Sequence, residues 1–368
     1  MTTPHASSVS ARSRSISTGH LPGWAPWAIL LGSMAISAAV FGVALNGGDT
    51  ADFNIAGTLF VGMVIYIVLI VVVSAIAETR RHATDRLMTA LISTAFVIAC
   101  LPLISLLWTV VSNGIARMDA EFFSFSMRNI IGEGGGAVHA IWGTLIITGL
   151  AALISVPIGL MTSIYLIEYG NGNRLSKSIT FFVDVMTGIP SIVAGLFIYS
   201  VFALLLGPGV RMGIMGALAL SVLMIPVVVR GSEEMLRIVP NELREASYAL
   251  GVPKWLTIVK VVLPTAIAGI TTSIMLAIAR VIGETAPLLL TAGFVQNLQV
   301  NPFESSNGQM MTLPVFVYNE FMYPSASSPG ASLERAWAAA LTLLLIVMVL
   351  NLLARLISKL FAPKTSGR

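Results

Sequence analysis

The sequence predicts an all-α, polytopic membrane protein with about eight spans. Of its 368 residues, 56% are hydrophobic and only 10% are charged, and the mean hydropathy is +0.89. An ordinary soluble domain is about 25% charged. The apolar residues also form long unbroken runs, whereas the strands of a membrane β-barrel alternate polar and apolar residues. A soluble globular protein and a β-barrel are therefore both excluded.

Eight apolar runs are long enough to cross about 30 Å of hydrocarbon as helices. They lie near residues 27–45, 55–77, 87–111, 137–167, 178–206, 213–230, 262–291 and 336–360. With the N-terminus inside, 16 of the 21 Lys and Arg residues fall in cytoplasmic segments. This bias follows the positive-inside rule. We therefore expect a multi-pass protein of the plasma membrane with both termini in the cytoplasm, beginning with a retained span rather than a cleaved signal peptide.

Motifs for catalysis or for metal binding are missing from the sequence. It contains no Gly-rich phosphate loop ending in Gly-Lys-Ser/Thr, no His-Glu zinc motif and no nucleophile elbow. Its single cysteine, Cys100, excludes a disulfide framework. The sequence therefore predicts no enzyme activity, no catalytic residue, no metal site and no cofactor in this chain. Its basic residues fit cytoplasmic loops, so no nucleic-acid partner is expected.

Three stretches lie outside the spans and have features of their own. Residues 1–23 are rich in Ser, Thr and Arg and are expected to be a disordered tail. The outer stretches 112–136 and 292–335 are long enough to be functional. A docking surface for an outer partner and a plain connector both remain open for these two stretches.

The cytoplasmic stretch 231–261 is charged but has helical periodicity. Apolar residues recur there at spacings of three and four, which predicts an apolar stripe along a helix: Leu236, Val239, Leu243, Ala246 and Leu250. Gly251 is suited to end this helix, and Pro253 to open the next. We therefore predict two short helices that meet at a tight turn and can pass a push from a cytoplasmic machine into the membrane. An interfacial amphipathic helix without a partner is the alternative.

This stretch resembles the EAA loop of binding-protein-dependent ABC importers. The matching residues are Glu245-Ala246-Ser247, then Gly251, Ile258 and Leu263-Pro264, with Ser247 in place of the usual second alanine. In that family the loop forms a coupling helix that sits in a groove of the ATPase subunit. The resemblance implies a type I importer core in the last five to six spans, with the coupling helix at 232–261. The residues expected to couple to the ATPase are Glu242, Glu245, Ala246, Leu250, Gly251 and Pro253.

Five further segments are similar to the PstA family of phosphate permeases: GTL at 143–145, IYLIEYG at 164–170, DVMTGIPSIVAGL at 184–196, ARVIGETAPLLLT at 279–291 and AWAAALTLLLIVMVLNLLAR at 336–355. The similarity implies a homologous second permease (PstC type), two copies of an ATPase (PstB type) that carries ATP and Mg, and an extracytoplasmic phosphate-binding protein (PstS type). The usual member has about six spans. Residues 24–86 are then two extra spans, 87–136 the first family span with its outer loop, 137–360 the permease core, and 361–368 a tail.

Two charges lie within the predicted seventh span. Arg280 and Glu284 are four residues apart, so on one helix they share a face. A charge at a helix centre costs about 2.5–3.5 kcal/mol, so neither is expected to face lipid. Arg280 can form an ion pair with Glu284 or with Asp184. Such a pair could be purely structural and lock two helices together, or Arg280 could bind phosphate. The resemblance implicates Arg280 in translocation. The predicted phosphate path is Arg280, Glu284, Thr285, Asp184 and Thr187.

The predicted function is that of the permease subunit of an ATP-driven inorganic phosphate importer that works by alternating access. Three alternatives remain open on the residues. The first is a permease for another oxyanion, such as sulfate, molybdate or phosphonate. The second is a transporter driven by an ion gradient, and the third is a membrane protein that senses phosphate.

Overall fold

The computed structural model describes residues 21–45, 54–170, 172–306 and 308–361. Within these ranges the regular structure is entirely helical, as the sequence predicts. Seven helices are long and apolar enough to cross a membrane, or eight if one bent pair counts as a span. The chain divides into two compact units, Met1–Leu106 and Leu107–Arg368. Most of each predicted tail, at residues 1–20 and 362–368, lies outside the described residues.

The first unit is built from the N-terminal helices. Helix α1 spans Ala25–Ala39 and continues as a π-helical segment, Val40–Leu45; α2 spans Ile55–Ala77; α3 begins there and spans Arg80–Gly114. The pair α1 and α2 is closely packed, and the buried hydroxyl of Ser37 donates to the carbonyl of Thr58 at 2.7 Å. These helices correspond to the first three predicted spans.

Glu78 holds the turn between α2 and α3. Its carboxylate accepts hydrogen bonds from the Ser74 hydroxyl at 2.6 Å, the Arg86 guanidinium at 2.9 and 3.1 Å, and the Leu21 amide at 2.7 Å. Donors to a carboxylate favour its charged form. The Ser74 bond and then the Arg86 bond lower the pKa of the Glu78 carboxyl from 4.5 to about 2. The turn therefore keeps its charge at any physiological pH.

The second unit contains the remaining helices. A 3₁₀ turn at Ile115–Arg117 follows α3, and π-helical segments follow α5 at Tyr165–Tyr169 and precede α11 at Ile258–Val262. The helices are α4 (Ala120–Ser124), α5 (Val138–Ile164), α6 (Arg174–Thr187), α7 (Ser191–Leu206), α8 (Gly213–Ile238), α9 (Asn241–Ala249), α10 (Lys254–Thr257), α11 (Leu263–Val281), α12 (Ala286–Thr291), α13 (Leu313–Met322) and α14 (Pro329–Phe361).

The packing of α5 against α8 forms the centre of the second unit. Small residues line this contact and let the two backbones approach. The Ser155 hydroxyl donates to the Ser221 carbonyl at 3.4 Å, and Ser221 donates to Ala151 at the same distance. A side-chain Cβ at Gly159 would lie 2.7 Å from Val228. The contact therefore leaves little room for larger residues.

Two predicted spans are not continuous helices. The fifth, near 178–206, consists of α6 and α7, which are bent by 107° at Gly188-Ile189-Pro190. Proline lacks an amide proton and disfavours helical backbone in the residue before it, so α7 starts afresh after Pro190. The seventh, near 262–291, breaks between Val281 and Ala286. Hydropathy measures apolar length and is insensitive to these bends.

The two predicted outer stretches are packed structure rather than open loops. The second contains α13, and the buried guanidinium of Arg335 bonds to Glu320 at 2.9 Å and to the carbonyls of Gly132 and Gly134 at 2.9 and 3.1 Å. A Cβ at Gly136 would lie 2.4 Å from the Phe122 carbonyl oxygen. Arg335 therefore ties both stretches together.

We predict that Gly143→Ala destabilises the protein while Gly149→Ala does not. Both glycines lie in α5, but a Cβ at Gly143 would sit 1.9 Å from the Met311 carbonyl oxygen, whereas nothing lies within 4 Å of one at Gly149. Overpacking of this kind costs about 1–3 kcal/mol. Thermal unfolding in detergent should show a lower midpoint for Gly143→Ala alone. Equal midpoints for the two variants would contradict the packing described.

Candidate functional site

The segment that follows α8 forms two short helices joined by a tight turn, as predicted. Helix α9 ends at Ala249, Gly251 has the left-handed φ of +75°, and Pro253 caps α10. The Gly251 amide donates to the Tyr248 carbonyl at 2.9 Å, which closes the turn. A left-handed residue at a helix end favours glycine. We refer to residues 241–257 as the elbow.

A buried hydroxyl pair joins the two arms of the elbow. The oxygens of Ser247 and Thr257 lie 2.8 Å apart, and both side chains are buried. Ser247 is the position where the sequence departs from the family triplet. The hydroxyl that replaces the usual alanine methyl group thus forms the hydrogen bond between the two arms, which could not be predicted from the sequence.

Arg244 fixes the elbow to two membrane helices. Its guanidinium donates to one carboxylate oxygen of Glu168 at 2.9 and 3.0 Å, and to the carbonyls of Leu236 and Val239 at 3.0 and 2.7 Å. Glu168 is buried in the π-helical segment after α5, and the two carbonyls lie at the end of α8. The last carbonyls of a helix have no partner within it. Arg244 therefore satisfies the end of α8 and neutralises a buried carboxylate at once.

Lys254 adds a second attachment to the same segment. Its ammonium group donates to the Glu168 carbonyl and lies 5.0 Å from the centre of the Tyr169 ring. The elbow is thus held at one point on α9 and at one point on α10. The IYLIEYG segment supported the family resemblance, but nothing in its local sequence identified Glu168 as the partner of the elbow.

All six elbow residues that are predicted to couple to the ATPase are exposed, and Leu250 is 83% exposed. They are Glu242, Glu245, Ala246, Leu250, Gly251 and Pro253.

The prediction that the apolar residues form a stripe along a single helix is wrong. Pro240 separates α8 from α9, so Leu236 and Val239 belong to the buried end of α8. Leu243 and Leu250 lie on α9 and at its end, and both are exposed. The spacing alone could not show that a proline redirects the chain within it.

A chain of ion pairs lies near the elbow end of α8. Arg230 pairs with Asp184 of α6 and with Glu233 at 2.9 Å, and Glu233 also accepts from Arg237 at 2.6 Å. Arg230 lies about 12 Å before the end of α8 by helical rise. Asp184 is therefore paired on the elbow side, and its pairing with Arg280, one of the two alternatives left open by the sequence, is not formed.

Arg280 lies in the last turn of α11, about 26 Å from the start of that helix by helical rise. The helix ends at Val281, so Glu284 lies in the break and does not share a helical face with Arg280. Arg280 is exposed, and within the described ranges neither charged side chain has an ion pair. Pro287 in the first turn of α12 accounts for the new start there.

The two hydroxyls of the predicted phosphate path also fall into separate groups. Thr285 directly precedes α12 beside Glu284, whereas Thr187 ends α6 and donates to the Val183 carbonyl at 2.9 Å. The structure thus brings Arg280, Glu284 and Thr285 to one helix break. It places Asp184 and Thr187 on α6.

Comparison with known proteins identifies the family. Residues 155–367 match the family described as binding-protein-dependent transport system inner membrane component. The chain is 47% identical over 281 residues to "Phosphate transport system permease protein PstA 1" of Mycobacterium tuberculosis strain H37Rv, covering 76% of this chain and 88% of that protein. It is 39% identical over 287 residues to the PstA permease of Pasteurella multocida, covering 78% of this chain and 97% of that protein.

Solved structures agree on the fold. The inward-facing MetNI methionine ABC transporter aligns with a TM-score of 0.50 at 19% identity, covering 61% of this chain and 96% of the other. A bacterial ABC transporter that imports alginate aligns with a TM-score of 0.50 at 14% identity, covering 75% and 96%. The long match to the PstA permeases is what assigns the family. The chain belongs to the PstA family of phosphate transport system permeases, within the binding-protein-dependent inner membrane components.

Proposed function

We propose that this chain is the membrane permease subunit of an importer that uses ATP to move inorganic phosphate into the cell. The observation that carries the proposal is the elbow: a helical bend that is fixed to α5 and α8 and whose predicted coupling residues are exposed, in a chain of the PstA family. A rigid bend transmits displacement, and a flexible loop does not.

Force is proposed to enter at the exposed residues of the elbow. A partner ATPase that pushes α9 moves α5 through the Glu168–Arg244 pair and α8 through the carbonyls that Arg244 holds. Helix α10 continues through a π-helical segment into α11, which carries Arg280. One contact can therefore displace three membrane helices together.

The partners are proposed from the family. They are a homologous second permease of the PstC type, two ATPase subunits of the PstB type and a phosphate-binding protein of the PstS type outside the membrane. ATP and Mg are proposed to bind the ATPase subunits, so this chain contributes no catalytic residue. The elbow side is then cytoplasmic.

The phosphate path is proposed to have two sections. Arg280, Glu284 and Thr285 form one at the break after α11, where an unpaired guanidinium can bind phosphate oxygens in a planar fork. Asp184 and Thr187 lie at the elbow side, where Asp184 already pairs with Arg230. Opening of that pair is proposed to release phosphate into the cell.

Reconstitution of the complete importer in proteoliposomes tests the function. We expect uptake of radiolabelled phosphate that requires ATP, the ATPase subunits and the binding protein, and that excess unlabelled sulfate or molybdate does not suppress. Uptake that persists without the ATPase subunits would refute an ATP-driven importer. Suppression by sulfate or molybdate would reassign the substrate to another oxyanion.

We predict that Arg280→Gln lowers phosphate uptake about tenfold or more, because charge-assisted bonds to the anion are lost. Arg280→Lys should retain part of the activity, since it keeps the charge but loses the fork. Arg174→Gln, an exposed arginine at the start of α6, is the matched control and should transport normally. Wild-type uptake rates in Arg280→Gln would remove Arg280 from the path.

We predict that Arg244→Ala uncouples ATP hydrolysis from transport. It leaves the carboxylate of Glu168 buried without its partner, which typically costs about 3–5 kcal/mol. The phosphate transported per ATP hydrolysed should fall, together with the unfolding temperature, and Glu168→Gln should lower the same ratio.

Arg237→Ala is the control for Arg244→Ala. It also removes an arginine from a carboxylate on the elbow side, but Arg237 is 67% exposed. The loss should be small, because the buried carboxylate of Glu233 keeps its bond to Arg230 at 2.9 Å and is not left without a partner. If both variants gave the same transport ratio, the Glu168–Arg244 pair would have no special part in coupling.

A further inference from the structure

A large polar cavity lies at the end of α8 opposite the elbow. Helix α8 is 26 residues long, so the two ends are about 39 Å apart. The cavity has a volume of about 700 Å³ and is lined by loops before α8 and after α12. Its polar lining includes Arg128, Arg211, Asn297, Gln309, Ser305 and Ser306. We refer to it as the entry cavity.

The charged residues that line the entry cavity are both arginines, and the carboxylate of Glu304, which is not among the lining residues, accepts from the Ser306 hydroxyl at 2.8 Å. Two guanidinium groups line it, and none of its described lining residues is Asp or Glu. Neither Arg128 nor Arg211 forms an ion pair within the part of the chain that the structure describes. The other charged arginines on this side, Arg117 and Arg335, are paired with carboxylates. The two unpaired guanidinium groups are therefore available to an anion.

The walls of the cavity are held by main-chain hydrogen bonds. The Met212 amide donates to the Thr291 carbonyl at 3.0 Å, the Ile214 amide to the Pro302 carbonyl at 2.9 Å, and the Met310 amide to the Ala292 carbonyl at 3.0 Å. The stem of Arg211 lies against the backbone of Gly293, where a Cβ would come within 2.9 Å of the arginine Cδ. The site is thus largely formed before a ligand arrives, which reduces the entropic cost of binding.

We propose that the entry cavity is a binding site for inorganic phosphate, which it receives before the phosphate reaches Arg280. This inference rests on the proposed function and adds a second site to it. Arginine forks match the oxygens of a tetrahedral oxyanion, and the Ser305 hydroxyl and the side-chain amide groups supply further donors. The carboxamide oxygens of Asn297 and Gln309 can accept the proton of a hydrogenphosphate.

Arg211 is proposed to pass the anion onward. It also lines a second cavity of about 410 Å³, whose walls include Leu289 and Leu290 of α12 and Asn319 of α13. Helix α12 begins directly after Glu284 and Thr285. A side chain that lines both cavities can hold phosphate from either side, so it can transfer the anion without releasing it to water.

The test compares Arg128→Gln, Arg211→Gln and their combination in the complete importer. We expect the double variant to lower maximal phosphate uptake about tenfold, as expected for loss of charge-assisted bonds. Half-saturation by the phosphate-loaded binding protein should be unchanged. Binding of radiolabelled phosphate to the membrane complex without the binding protein should weaken by a similar factor. Arg128→Lys and Arg211→Lys should retain most of both activities, and Arg174→Gln should behave as the wild type.

Asn297→Asp is a second variant that leaves both arginines in place. It adds a carboxylate to the cavity wall at an exposed position, so repulsion should lower phosphate binding even if the arginine variants fold poorly. Unchanged uptake and binding in all of these variants, beside active wild-type importer, would overturn the entry site and leave the proposed function intact. A loss confined to half-saturation by the binding protein would overturn it too, because the arginines would then dock protein carboxylates.

Discussion

The ion pair between Glu168 and Arg244 is the contact on which the rest of the second unit's elbow depends. One guanidinium, carried on the first arm of the elbow, donates hydrogen bonds to a carboxylate at the end of α5 and to two carbonyls at the end of α8. The alternative partner for these groups is water at the membrane surface, which would leave α9 free to swing about Pro240. Because the carboxylate is buried, its loss of hydration is compensated only while Arg244 stays in place. The burial of Glu168 thus holds Arg244 in place, and Arg244 in turn holds the elbow against α5 and α8.

Elsewhere in the second unit, tight helix packing and breaks between helices occur in different places. The contact between α5 and α8 is lined by Ser155, Gly159 and Ser221, where close backbone approach allows little sliding. The chain is interrupted elsewhere, between α6 and α7 and between α11 and α12. The residues predicted to meet phosphate lie at or beside those interruptions. This arrangement suits a permease in which one pair of helices moves as a body while the substrate groups change their surroundings.

The sequence was informative wherever a local rule decides the structure. Apolar length located the spans, and Gly251 and Pro253 predicted the turn of the elbow, because a left-handed residue and a missing amide proton act at their own positions. Periodicity failed at Pro240, where one spacing pattern continues across two helices that point in different directions.

Long-range pairings could not be predicted in the same way. Glu168 and Arg244 are 76 residues apart, and Asp184 and Arg230 are 46 apart. A charge pattern shows that a buried charge needs a partner but does not identify the partner. The sequence left Glu284 and Asp184 open as partners of Arg280, but α11 carries Arg280 toward one side of the fold while Asp184 lies near the other. The entry cavity was missed because its arginines lie in stretches that resemble connectors.

A π-helical segment lies on each side of the elbow. One ends α5 at Tyr165–Tyr169, and the other precedes α11 at Ile258–Val262. A π turn holds one residue more than an α turn, so its conversion to α geometry shifts the following residues by one position. That shift is about 1.5 Å along the axis and about 100° around it. Conversion of the segment before α11 would therefore turn the side chains of α11 relative to the elbow without tilting the helix.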